Sequence, residues 1–255
     1  MTWAENVAHP YGIAFVLNYV VRVHHSRRET RATRQQAEAA IAFSTEHGFA
    51  QFLALGLIMR GSALAQEQHE KGITVLSQGL AFYQATGAEL NQPYHLALLA
   101  EAYSTMEQAE EGLRVLSEAL ALVDKNGERL YEAELHRLQG ECVLALFVNN
   151  QTEAEASCHQ ALAVARRQEA KSPELRAAMR LSRLWQQQDK RDAARELLAP
   201  IYGWCTEGFD TADLQEAKAL LEGLGGDGER KKARKRKEII PESPIYDTPA
   251  IRHVT

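Results

Sequence analysis

EKGITVLSQGLAFYQATG (residues 70–87) lies over EEGLRVLSEALALVDKNG (110–127) without a gap at an offset of 40, matching Gly72 with Gly112, Leu76 with Leu116 and Leu80 with Leu120. A further 42 residues on, TEAEASCHQALAVA puts Ala154, Cys158, Ala161 and Leu162 in the same slots, and 40 beyond that stand Ala194, Leu198 and Ile201. Going backwards by 39, Thr33, Ala37, Ala40 and Ile41 fill them. Apolar residues at i, i+3 or i+4, and i+7 mark one buried face of a helix. Their return at a fixed period marks a repeat architecture, in which no unit can hide its apolar face alone.

Ahead of each opening small residue lies a partner segment with a small residue of its own. These are Gly61, Ala100, Gly140 and Ser182, at distances of 11, 12, 14 and 12. The period therefore holds two helices packed as a hairpin, small side chain against large. Thr86-Gly87, Asn126-Gly127, Asn149-Asn150 and Ser172-Pro173 punctuate the pattern, which excludes one long coiled coil. Ser172 reads as an N-cap before Pro173, and Asp210 as the cap of a last helix that Gly223 ends. The hairpins expected are 10–48, 49–88, 91–128, 131–170 and 173–205, with a capping helix at 210–222.

Composition agrees. Of 255 residues, 45% are hydrophobic and only 7% aromatic, with abundant Ala and Leu, which lose little rotamer freedom in helices. Three cysteines without CxxC spacing make no disulfide framework, which fits a reducing compartment. The first residues lack a basic secretory n-region, and the apolar stretch 11–21 is shorter than the ~20 residues a membrane span needs. A cytoplasmic protein without a membrane span is expected. Of the net charge of −5, residues 226–255 hold +3, leaving −8 for the body. An acidic body argues against a nucleic-acid-binding surface.

LALLAEAYSTMEQAEEGLRVLSEAL (96–120) resembles the tetratricopeptide pattern, with Ala100, Tyr103, Gly112, Leu116 and Ala119 at its small and large positions. HPYGIAFVLNYVVRVHHSRRE (9–29), QATGAELNQPYHLALLAEAY (84–103) and the stretch 184–224 resemble the carboxy-terminal helical region of bacterial adenylate/guanylate cyclase–ATPase fusion proteins. The likeness covers about residues 9–224. It implies an all-α, tetratricopeptide-like right-handed α-solenoid of about five helical hairpins plus a capping helix in residues 1–225. A disordered, basic, proline-containing tail is expected at 226–255.

Motifs for chemistry are weak. Gly223, Gly225 and Gly228 fit GxGxxG, but follow a helix instead of a strand, so they read as helix stop and linker. His24 and His25 are adjacent and cannot readily share a metal. His69-Glu70 begins HExxH, but Ile73 stands where the second histidine belongs. His159 sits beside Cys158, a core position. No GxSxG, Walker GxxxxGK[ST] or cyclase aspartate pair occurs, and Ser62 lies mid-helix. Glu110-Glu111 and Glu132/Glu134 read as solvated acids. The block 230–237 could contact nucleic acid or another polyanion, but it lacks interleaved aromatics for base stacking. Neither enzyme activity, metal nor cofactor is expected.

In a tetratricopeptide hairpin the first helix lines the concave groove. Carried over by register, the groove positions are Tyr94, Ala97, Glu101 and Ser104, then Glu134, Arg137 and Glu141, then Arg183 and Gln186. A mixed charged lining with one aromatic anchor suits a peptide or protein partner. The function expected is a non-catalytic interaction or regulatory module, docking an ATPase or cyclase polypeptide or a second copy of itself. The alternatives are a nucleic-acid-associated protein using the basic tail and a fragment of a nucleotide cyclase or ATPase.

Overall fold

A computed structural model describes residues 9–68, 71–146 and 150–239, with side chains described up to residue 225. The described residues contain eleven α-helices and no strand. They are α1 (Pro10–Ser26), α2 (Thr30–Glu46), α3 (Ala50–Gln66), α4 (Gly72–Ala85), α5 (Gln92–Thr105) and α6 (Ala109–Asn126). A 3₁₀ turn, Arg129–Tyr131, leads to α7 (Glu132–Leu146), α8 (Gln151–Arg167), α9 (Lys171–Gln187), α10 (Arg191–Gly203) and α11 (Ala212–Ile239).

Each odd-numbered helix from α1 to α9 packs on the even-numbered helix that follows it, and every odd helix also touches the next odd one. The odd helices thus form one layer and α2, α4, α6, α8 and α10 another. The small residues of the repeat lie where the two helices of a pair come closest. A Cβ added to Gly61 would stand 2.3 Å from the Leu76 amide nitrogen, and one on Gly72 2.5 Å from that of Ala65. Gly140 sits over the Ala154 carbonyl, and Ser182 Oγ donates to the Ala194 carbonyl at 3.1 Å. Apolar stripes from the paired helices make two large clusters, one from Val21 to Cys142 and one from Val143 to Ala217, with Leu113 packed against both, and a small third of Ala133, Val164 and Ala165.

Three local expectations are corrected. α9 starts at Lys171 after Ala170, with no side-chain cap, so Ser172 is not its N-cap. Asp210 does not cap the last helix; its carboxylate takes a hydrogen bond from Arg27 at 2.9 Å, and the helix opens at Ala212. Nor does α11 stop at Gly223, which lies inside Ala212–Ile239. Glycine costs a helix about 1 kcal/mol but does not by itself end one. Residues 240–255, most of the proline-containing tail, lie outside the described residues, as do His69 and Glu70.

Candidate functional site: a charged inner chamber

Helices α5, α7, α9 and α11 each present one face to a common cavity of about 450 Å³. On α5 this face carries Tyr94, Ala97, Glu101 and Ser104; on α7, Glu134, Arg137 and Glu141; on α9, Arg176, Arg180 and Arg183; on α11, Asp213 and Glu216. The spacings of three, four and seven are those of a single helical stripe. His25, Ser26 and Arg28 from the end of α1 complete the wall. Eight of the nine positions chosen by repeat register line this chamber; Gln186 does not, and its Nε2 lies toward Gly223 of α11 instead.

Five carboxylates (Glu101, Glu134, Glu141, Asp213, Glu216) meet five guanidiniums (Arg28, Arg137, Arg176, Arg180, Arg183) on the chamber wall. Arg137 lies between Glu134 at 2.8 Å and Glu141 at 2.9 Å. Arg176 reaches Asp213 at 2.7 Å and the Ser26 carbonyl at 2.8 Å. Arg183 holds Glu216 at 2.8 Å, and Arg28 holds Glu216 at 2.7 Å and Asp213 at 3.2 Å. The Arg137 and Glu134 charges, 11% and 17% exposed, are removed from water and persist because they are paired, whereas Arg28, Arg183 and Glu216 stay in contact with solvent.

Burial alone would raise the Glu134 carboxyl, but Arg137, then Arg176 and His25, hold it down to about 2. Glu101 makes no ion pair among the described residues, and burial pushes its carboxyl up, with Arg137 only partly opposing. His25 is lowered to about 4, by burial first and by Arg176 second, and its Nε2 lies 3.3 Å from Ser62 Oγ. At neutral pH the chamber therefore holds an ionised Glu134 and a neutral His25.

Two of the acids read as solvated are not. Glu132 is only 8% exposed, with Arg129 at 2.8 Å and Arg167 at 3.3 Å, and Glu134 faces the chamber. Glu134 is drawn in by its place on the inward stripe of an odd helix, whereas Glu132, on another face, is covered by Arg129 and Arg167. Register also reaches Arg176 and Arg180, which stand 42 residues beyond Glu134 and Leu138, as Ser182 stands beyond Gly140. No repeat rule announces His25, Arg28, Asp213 or Glu216, because they meet only where the first turn approaches the last helix.

Among the described residues no group of three His, Cys, Asp or Glu could hold a metal ion. His24 pairs with Glu29 at 2.5 Å, and His159 lies against the Trp185 ring, 5.9 Å between centroids. Cys142 and Cys158 are buried free thiols, each pushed up to about 11 by that burial, the opposite of an activated nucleophile. No helix among the described residues is long and apolar enough to cross a membrane. No protein-family model matches the chain, and no curated protein matches it.

Proposed function

We propose that the chain is a non-catalytic binding module, a tetratricopeptide-like right-handed superhelix that receives a short polar segment of another polypeptide in the inner chamber. One observation carries this reading. Positions selected by repeat register alone, on α5, α7 and α9, come to line a single charged cavity. Its balanced lining, five acids against five arginines, suits a guest that carries both signs and exchanges hydrogen bonds with the wall. The partner implied by the cyclase–ATPase likeness is an ATPase or cyclase polypeptide, or a second copy of this chain. Three free cysteines suit a reducing compartment such as the cytoplasm.

Selection from a displayed peptide library on the full chain tests the reading. Recovered peptides should carry mixed charge. Glu101→Gln with Arg180→Gln should weaken them by about tenfold or more, the scale of one lost charge-assisted hydrogen bond. The exposed Glu110→Gln should leave them unchanged. Peptides indifferent to the chamber pair would end the proposal.

A further inference from the structure

A second cavity, of about 140 Å³, lies beside the chamber, with Tyr94 in the wall of both. It opens between α1, α3 and the turn before α5. Its lining is aromatic: Tyr11, Phe15 and Tyr19 from α1, Phe52 from α3, Tyr83 from α4 and Tyr94 from α5. Tyr11 and Phe52 meet edge to face at 5.0 Å, and Phe15 lies 4.5 Å from Tyr19 and 6.5 Å from Phe52. Tyr11, Phe15 and Tyr19 remain 52%, 45% and 50% exposed, so the rings stand at an open mouth. An apolar cavity of about 150 Å³ is known to take up one benzene molecule, so this space suits a single ring.

Arg22 stands at one end of the cavity. Its Nη2 donates to Tyr131 Oη at 2.8 Å, and its guanidinium carbon lies 5.0 Å from the Tyr94 ring centre and 5.6 Å from that of Tyr19. Those rings hold the cation by their faces. Among the described residues, no carboxylate lies within ion-pair distance of it. Arg28, Arg137, Arg176 and Arg183, by contrast, each have one within 2.8 Å. The lining contains no Asp or Glu, and Glu128 near the rim already accepts from the Asn91 amide at 3.1 Å. His95, also in the lining, is lowered to about 4 by burial first and Arg22 second, and is neutral at physiological pH. The cavity is therefore aromatic with one uncompensated positive charge, carried by a group whose planar fork matches a carboxylate.

We propose that this cavity binds a small aromatic carboxylate, with its ring among Phe15, Tyr19 and Phe52 and its carboxylate on the Arg22 guanidinium. The site is separate from the chamber and does not depend on its function. The same ligand chemistry comes from a free aryl acid or from an aromatic residue at a polypeptide's carboxy-terminus.

The test is calorimetric titration of the full chain with phenylacetate, and with acetate, benzyl alcohol and phenethylamine as comparators. Phenylacetate should bind about tenfold or more tightly than either the charge or the ring alone, the size of one charge-assisted hydrogen bond. Phenethylamine should bind worst. Arg22→Gln should erase the advantage of phenylacetate over benzyl alcohol, and Phe15→Ala should weaken both ring compounds. Arg22→Lys, which keeps the charge but not the fork, should give an intermediate loss; circular dichroism verifies that each variant is folded. Glu101→Gln should leave phenylacetate binding unchanged. The proposal fails if phenylacetate binds no better than acetate, if its advantage survives Arg22→Gln, or if Glu101→Gln removes it, which would move the site to the chamber. Acetyl-Ala-Phe binding more tightly than phenylacetate, and losing that on amidation, identifies a polypeptide carboxy-terminus as the source. The reverse order identifies a free acid.

Discussion

A Cβ on Gly61 would fall inside the backbone of α4, and backbone cannot rotate away as a side-chain tip can. Gly61→Ala must push α3 and α4 apart. A loss of about 1–3 kcal/mol is expected, roughly 2–12 °C in a thermal melt for a chain of this size. Gly12→Ala, with nothing within 4 Å, is the control that should not destabilise. Two histidines set a pH dependence. Folded His25 and His95 titrate at about 4, below their ordinary value of 6.5; burial is the main cause for both, aided by Arg176 and Arg22 at His25 and by Arg22 at His95, while Glu134 opposes at His25. As pH falls, the unfolded chain takes up protons first, so stability present above about 6.5 is lost toward 4. Each histidine should account for roughly 1–3 kcal/mol of that loss. Urea denaturation between pH 7 and 5 checks it, and His95→Phe should remove about half of the slope. The buried histidines were not legible as such, since burial depends on what neighbouring helices place around them.

At the scale of the helix, the period and its small residues were enough to place five pairs, because one apolar stripe per helix admits few other packings. The ends were not legible. Nine described turns carry a side-chain-bearing or glycine residue at positive φ, and in five of them the residue is Arg28, Gln68, Glu107, Glu169 or Asp189, with φ between 54° and 60°. In four of these the following amide bonds to the carbonyl five residues back: Glu29 to His24, Gln108 to Tyr103, Ala170 to Ala165 and Lys190 to Trp185, at 2.8–3.0 Å. Each helix is thus ended by its own last turn. Ser172 looked like a cap because serine so often is one, but the preceding helix had already fixed the chain's direction. Glycine adopts this conformation without the cost that a Cβ imposes. Glu107→Gly, Glu169→Gly and Asp189→Gly should each stabilise by about 0.5–1 kcal/mol, and additively, since they lie in different turns. Chemical denaturation of the single and triple variants measures this.

Across the whole molecule, the turn after α1 reaches the start of α11. Arg27 binds Asp210, Arg28 binds Asp213 and Glu216, and Arg176 ties both sides through Asp213 and the Ser26 carbonyl. The chamber's inner faces on α5 and α7 were legible from register, but this closure was not, since it joins segments outside any repeat relation. Arg27→Ala with Arg28→Ala should leave the global unfolding midpoint nearly unchanged, because exposed ion pairs are weak. Hydrogen exchange in the first turns of α11 should nevertheless rise, while α3 and α4 stay protected. High salt should have the same local effect on the wild type.

Arg28 and Asp213 are 185 positions apart, whereas the helices of a pair are joined by turns of a few residues. Bringing such distant points together costs about 2 kcal/mol more chain entropy than closing a loop of about 20 residues. During folding, neighbouring pairs can therefore assemble first, with the two extremities meeting last. A guest present at that moment would be enclosed by the final step of folding.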